Sequence, residues 1–287
     1  MNDRRKRLRE LVNRKQGLVV PGAYDGVSAR LIEAAGFEAV YMTGFGTSAS
    51  RLGLADLGFA GLAEMADHAR NLAYSVSVPL IADADTGYGN ALNARRTVSL
   101  YESAGVAALH IEDQALPKRC GHLDGKTVVP LEEFAQKIRA AVEARADPDL
   151  MVIARTDAVA VTGFDDAMRR AEAAAEAGAD MLFIEATSEE QTVTAMRAFD
   201  LPMLYNLSPG LHTPPPSIEV LRQMGYAVII LPTQLLLTAA TAMRAFVTDL
   251  RAGGDPRELI QPSMSFSAFG EVIGLQEQMA LGAHYGG

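Results

Sequence analysis

The chain has a single cysteine, Cys120, no tryptophan, and only 6% aromatic residues. One thiol excludes an internal disulfide framework and suits a reducing compartment. No apolar run approaches the roughly 18 residues that a membrane span requires, so no membrane association is expected. Positive charge is also scarce: 26 Lys and Arg face 35 Asp and Glu, for a net charge of −9. That balance argues against a nucleic-acid partner, whose phosphates reward clustered Lys and Arg. It does not exclude a small anionic substrate, because a bound metal and one or two arginines can reverse the local field. The basic N-terminus, MNDRRKRLREL, lacks the apolar centre of a secretory leader. It predicts a solvated helix over 1–16 at the surface of a cytoplasmic protein.

What the chain does have is hydrophobic mass, 49% of 287 residues, enough for a sizeable core. Eight short apolar runs lie at 17–21, 39–43, 78–83, 107–112, 151–155, 181–185, 202–206 and 227–231. They are rich in Val, Ile, Leu and Met without polar alternation, as strands buried on both faces should be. Helix-like stretches separate them, at 28–35, 62–75, 91–104, 131–146, 165–177, 189–199, 216–224 and 233–252. Several are followed by a glycine able to close a helix: Gly36, Gly105, Gly178, Gly225 and Gly253. Eight β/α units predict one domain over 1–287, a closed (β/α)8 barrel of the TIM type. A doubly wound open sheet is the alternative, but no G-x-G-x-x-G follows the first strand. From about 255 to 287 the chain continues as an apolar helical extension with Met264, Phe266, Phe269, Ile273 and Met279. Such a surplus predicts cover for a neighbouring subunit.

In such a barrel the chemistry gathers at the C-terminal ends of the strands. Those ends carry Tyr41-Met-Thr43-Gly44, Asp83-Ala-Asp85, His110-Ile-Glu112, Arg155-Thr-Asp157, Glu185 and Asn206. Asp83, Asp85 and Glu112 would repel one another unless a cation sat among them. Oxygen donors suit a hard ion, Mg²⁺ with Mn²⁺ as a substitute. The competing explanation is that Asp83 or Asp85 merely caps the helix that begins near Asn90. Cys120 lies in Lys118-Arg-Cys120-Gly121-His122, within a long, glycine-punctuated connection. A lone cysteine is commonly a small buried hydrophobe. Here cationic neighbours favour a reactive thiol, and a loop of this length suits a lid.

The combination of Asp83-Ala-Asp-Thr-Gly-Tyr-Gly, His110-Ile-Glu-Asp, Lys118-Arg-Cys-Gly-His122 and Ala154-Arg-Thr-Asp157 resembles the isocitrate lyase and phosphoenolpyruvate mutase superfamily. Within it the chain looks most like the short 2-methylisocitrate lyase and dimethylmalate lyase group. The resemblance implies Mg²⁺ held by Asp85, directly or through water, with Asp83 and Glu112 in its shell. It implies that the Thr43 and Gly44 amides bind a carboxylate beside Tyr41, and that Arg155 meets the oxygens near the metal. Asp56 would lie close to the reacting carbon, Glu185 and Asn206 would hold the second half of the substrate, and Gly121 and His122 would add contacts from the lid. Cys120 would donate a proton, with Tyr41, His110, Asp56 and Arg155 completing the catalytic set. The activity implied is cleavage of a substituted malate or (2-methyl)isocitrate to pyruvate or glyoxylate plus a second acid, in a helix-swapped homotetramer. A phosphonomutase or an oxaloacetate hydrolase on the same scaffold is the alternative, and a barrel that binds dicarboxylates without turnover is a third. The chain departs from the methylisocitrate lyases after Asn206, where Leu207-Ser-Pro-Gly210 stands in place of a Thr-Glu-Phe run.

Overall fold

The computed structural model describes residues 2–121, 123–185, 188–209, 216–261 and 263–286. Each predicted apolar run forms a parallel strand: β1 (Leu18–Ala23), β2 (Val40–Met42), β3 (Leu80–Asp83), β4 (Ala108–Glu112), β5 (Met151–Thr156), β6 (Met181–Ile184), β7 (Leu204–Asn206) and β8 (Val228–Leu231). Strand order runs β6-β5-β4-β3-β2-β1-β8-β7. A single parallel bridge between Leu182 and Met203 joins the two ends, so the sheet forms a nearly closed barrel. This is the (β/α)8 arrangement that the alternation of elements predicts.

Side chains on alternate positions split the core in two. One apolar cluster fills the barrel with Val20, Tyr41, Ile81, Ile153, Phe183 and Ile230. The other packs the strands against the surrounding helices, Leu62–Ser75, Ala91–Ala104, Leu131–Ala144 and Phe164–Glu176 among them. Two helices match their predicted bounds, Leu62–Ser75 and Ala91–Ala104. The second stops at Gly105, which takes the left-handed conformation (φ 92°) that an L side chain resists.

The N-terminal helix Asn2–Asn13 corrects the expectation of a solvated surface element. Leu8 and Val12 are fully buried and join the cluster inside the barrel. The helix therefore plugs the barrel at the end opposite the strand C-termini. Three of its arginines turn to backbone carbonyls and not to water. Arg5 Nη2 donates to the Glu102 carbonyl (2.7 Å), Arg4 Nη1 to the Ala73 carbonyl (2.6 Å), and Arg9 Nη2 to the Pro148 carbonyl (2.7 Å). Glu102 and Ala73 lie in the last turns of barrel helices, whose end carbonyls lack intrahelical donors and attract cations. The basic composition that reads as solvation thus serves as a set of helix-end partners.

The eighth barrel helix also departs from expectation. None of the residues of Gln234–Arg251 is buried, and Leu237, Met243, Val247 and Leu250 lie in the open. Beside it an apolar groove of about 650 Å³ runs along β1, lined by Leu18, Leu31, Ile32, Phe37, Ile218 and Leu231. The C-terminal helices Phe266–Val272 and Leu275–His284 likewise bury nothing but Gly270.

Truncating the plug separates the two accounts of the N-terminus. Leu8→Ala should lower unfolding stability in urea by about 2–5 kcal/mol, the cost of a cavity at a filled site. A solvated helix would lose no more than about 0.5 kcal/mol.

Candidate active site

The strand ends bring three carboxylates to one side of the barrel mouth, each held differently. Asp83 Oδ2 accepts from the Gly44 amide (3.1 Å) and Oδ1 from the Asp85 amide (3.0 Å). A side chain at position 44 would place its Cβ 2.4 Å from Asp83 Oδ2, so the turn must carry glycine there. Burial pushes the Asp83 carboxyl towards the neutral form, but the His110 ring, whose Nε2 lies 3.6 Å from Oδ1, and the charges of Lys118 and Arg155 outweigh it and hold it below the usual carboxylate range. Asp85 sits in the left-handed region at φ 47°, an uncommon conformation for a residue with a Cβ. The Glu112 amide donating to the Asp85 carbonyl (2.9 Å) helps hold it there. Burial, opposed by Lys118, pushes the Asp85 carboxyl up to about 6. Glu112 is also raised by burial, and its Oε1 is buried without a hydrogen-bond partner.

Lys118 supplies the charge that this cluster requires. Its Nζ lies 2.7 Å from Asp56 Oδ1 and 2.5 Å from Asp85 Oδ1, and the side chain is 5% exposed. Although burial disfavours the ammonium, Asp85 and Asp56 raise its pKa well above normal. The lysine was legible in sequence only as a cation near Cys120. Its role as the bridge between two predicted site aspartates depends on how the loop folds back.

Arg155 serves the other side of the mouth. Its guanidinium forms two hydrogen bonds with Asp157 (2.9 and 3.1 Å) and lies 3.3 Å from Glu112 and 3.4 Å from Glu185. Behind it, Asp113 accepts from the Asp157 amide (2.9 Å) and from Thr156 Oγ1 (2.6 Å). Neither Asp113 nor Asp157 stood among the predicted site residues, though both occur in the quoted strand-end motifs. Asn206 Nδ2 bonds both Glu185 oxygens (3.3 and 3.2 Å), so these two predicted residues meet.

At the base of the site Tyr41 Oη lies 2.8 Å from His110 Nε2, with the rings stacked. Burial holds the imidazole neutral, with a pKa of about 4. His110 Nδ1 is buried without a partner. A bare lone pair costs less than a bare N–H, which assigns the ring proton to Nε2 and makes Tyr41 Oη its acceptor. The phenol proton is then available to the cavity, and burial keeps that phenol protonated.

Cys120 reaches the same place from the connection after β4. Its amide donates to the Asp56 carbonyl (3.1 Å), and Gln114 holds Arg119 by two hydrogen bonds (2.9 and 3.0 Å). Tyr41, Thr43, Asp56, Asp83, Glu112, Cys120, Gly121 and Arg155 line one cavity of about 40 Å³, together with Phe45, Lys118 and Thr233. Asp85 lies behind Lys118, and His110 behind Tyr41. His122 falls outside the described residues. The amides expected to receive a carboxylate are already engaged, Gly44 with Asp83 and Thr43 with the Ala23 carbonyl (3.3 Å). Among the described residues no three His, Cys, Asp or Glu side chains converge as a self-sufficient metal cage. The donor set does fit an ion that keeps most of its water: Glu112 Oε1 has no partner, and Asp85 sits against an ammonium.

Comparison with known proteins shows the family to which the chain belongs. The family model described as phosphoenolpyruvate phosphomutase matches residues 8–251. The 2,3-dimethylmalate lyase of Eubacterium barkeri is 42% identical over 273 residues, 94% of each chain. The 2-methylisocitrate lyase of Aeropyrum pernix is 38% identical over 271 residues, 94% of this chain and 87% of the relative. A solved oxaloacetate acetylhydrolase in complex with the inhibitor 3,3-difluorooxalacetate superposes with a TM-score of 0.92 at 40% identity, covering 98% of this chain and 97% of the other.

The raised Asp85 pKa has a stability consequence. A carboxyl whose folded pKa of about 6 exceeds its unfolded value of 3.8 favours folding when protonated, and that contribution is lost as pH rises towards 6. In metal-free protein, Asp85→Asn should therefore gain more stability at pH 8 than at pH 5, by roughly 1–2 kcal/mol in urea unfolding. An equal change at both pH values would contradict the assignment.

Proposed function

Because the chain belongs to the phosphoenolpyruvate mutase/isocitrate lyase superfamily of enzymes, we propose that it is a Mg²⁺-dependent carbon–carbon lyase acting on a substituted malate or (2-methyl)isocitrate. The products are pyruvate or glyoxylate and a second carboxylic acid. The observation that carries this reading is the position of Cys120, which lines the same small cavity as Arg155, Glu112 and Tyr41. Cleavage leaves carbanion character on the departing half, next to a carboxylate, and that carbon must take up a proton. The 2-hydroxyl proton lost on cleavage passes to the Asp56 carboxylate lining the cavity, while the Cys120 Sγ–H protonates the departing carbon and leaves a thiolate that nearby Lys118 and Arg119 favour. A phosphoryl transfer has no carbanion to protonate and no use for the thiol.

Asp85 and Glu112 would hold Mg²⁺, with Asp83 in its water shell. Bound there, the ion supplies Lewis-acid stabilisation to the oxygens of the 2-oxo acid half. Arg155 turns its charge towards the same oxygens, preorganised by Asp157 before any substrate arrives. Tyr41 offers its phenol proton from below. Glu185 and Asn206 meet the distal half. The tight cavity keeps bulk water from competing for the carbanion. Oxaloacetate hydrolysis is the second reading, favoured by the close superposition on the acetylhydrolase.

The exposed helix Gln234–Arg251 and the apolar groove beside β1 support exchange of helices between subunits, in a homotetramer with the C-terminal helices at its contacts. Among the described residues no helix is long and apolar enough to cross a membrane. With its single cysteine, we place the protein in the cytosol.

Pyruvate and glyoxylate release from isocitrate, 2-methylisocitrate, dimethylmalate and oxaloacetate tests the reaction. One substituted malate or isocitrate should be cleaved, EDTA should abolish turnover, and Mg²⁺ or Mn²⁺ should restore it. Cys120→Ser should fold and lose roughly 10²–10⁴-fold in kcat. Oxalate or phosphonate chemistry in place of cleavage, or near-normal turnover of Cys120→Ser, would overturn the lyase reading. Light scattering at micromolar concentration should give a tetramer, and a monomer would rule out helix exchange.

A further inference from the structure

Lys126 follows the thiol in the same connection, and nothing in the proposed reaction needs its chemistry. Its side chain is nevertheless 5% exposed, and its Nζ lies 3.5 Å from Asp157 Oδ1 while donating to the Gly121 carbonyl. Asp157 is the fully buried carboxylate that grips Arg155 through two hydrogen bonds. Gly121 packs directly on that arginine: a Cβ at position 121 would lie 2.8 Å from Arg155 Nη2 and 3.6 Å from Asp157 Oδ1. One ammonium therefore joins the backbone next to Cys120 to the carboxylate that aims Arg155.

We propose that Lys126 is a positioning residue that latches the Cys120 loop over the cavity by bridging the Gly121 carbonyl to Asp157. The loop's other attachments either precede the thiol or lie beyond Lys126, where the Ala115 amide donates to the Thr127 carbonyl (2.9 Å) and the Val129 amide to the Asp113 carbonyl (2.9 Å). Lys118 holds Asp56 and Asp85, Gln114 holds Arg119, and the Cys120 amide holds the Asp56 carbonyl. Between the thiol and those later anchors, Lys126 is the side chain among the described residues that ties Gly121 to the barrel. A charge-assisted bond in a nearly dry site is strong enough to set the loop's position. Burial opposes the Asp157 charge, yet Arg155 and Lys126 hold its carboxyl below the usual range, so the anchor stays ionised. Because Gly121 meets Arg155, the latch aligns the thiol and the guanidinium together. This inference rests on the lyase reading only for what the positioned thiol does.

Cys120 is the only cysteine, so iodoacetamide followed by mass spectrometry reports its accessibility without any substrate. Lys126→Met should be alkylated roughly 10- to 100-fold faster than wild type, the range expected for losing a bond to a charged group. Its kcat should fall by a comparable factor with KM little changed and the melting temperature preserved, and Lys126→Arg should recover most of both. Gly121→Ala keeps the lysine but sets a methyl against Arg155, and it should show the same paired changes. It also serves if Lys126→Met folds poorly. Wild-type alkylation rates in Lys126→Met and Gly121→Ala would overturn the latch, as would an arginine variant no better than the methionine one. If the lyase assays fail while alkylation accelerates, the latch stands and the reaction assignment falls.

Discussion

The barrel mouth is governed by a shortage of positive charge among buried carboxylates. Asp83, Asp85, Asp56, Glu112, Asp157 and Glu185 crowd a region served by Lys118, Arg155 and Lys126. None of these acids is bathed in water, so each needs a partner or must give up its charge. Arg155 answers three of them at once, and a guanidinium suits that task because its donors form a fixed planar fork. Its arrangement is the one on which the others depend. Asp113 fixes the Asp157 backbone, Asp157 fixes the arginine, and the arginine sets where Glu112 and Glu185 find their charge. Removing one partner from such a buried set typically costs about 3–5 kcal/mol, because the charge left behind has no solvent.

That electrostatic tension explains why the site tolerates strained and unpaired groups. Asp85 in a left-handed turn and Glu112 with a bare oxygen would be faults in a structural core. At a barrel mouth they suit the proposed pairing of a cation with a carboxylate substrate. The opposite end of the barrel is built the other way. There Arg4, Arg5 and Arg9 satisfy helix-end and turn carbonyls, and Leu8 and Val12 fill the interior. One end of the barrel thus keeps buried polar groups without partners, while at the other these arginines have theirs.

Much of this was legible in the sequence, for identifiable reasons. Parallel strands are buried on both faces, so they appear as unbroken apolar runs, and all eight were visible. Residues at their ends could be placed at one rim without any coordinates, which brought Tyr41, Asp83, Glu112, Arg155, Glu185 and Asn206 together. What stayed hidden were partners fixed by long-range packing. Lys118 looked like a neighbour of Cys120, but its ammonium lies between Asp56 and Asp85, residues far from it in the chain. The N-terminal arginines looked solvated because a sequence shows charge and not which carbonyl receives it. The 234–251 segment has a convincing helical period, but period alone cannot say whose barrel its apolar face covers.

The seam between β6 and β7 differs from the other strand pairs. Those are joined by runs of paired residues, whereas among the described residues this one is joined by the single Leu182–Met203 bridge. Just above it, Glu185 and Asn206 face each other across the gap and are joined by their side chains. The barrel is thus least cross-linked directly beneath the residues assigned to the distal half of the substrate. Width at that point can be adjusted without breaking a ladder, so divergence in substrate size is cheapest there.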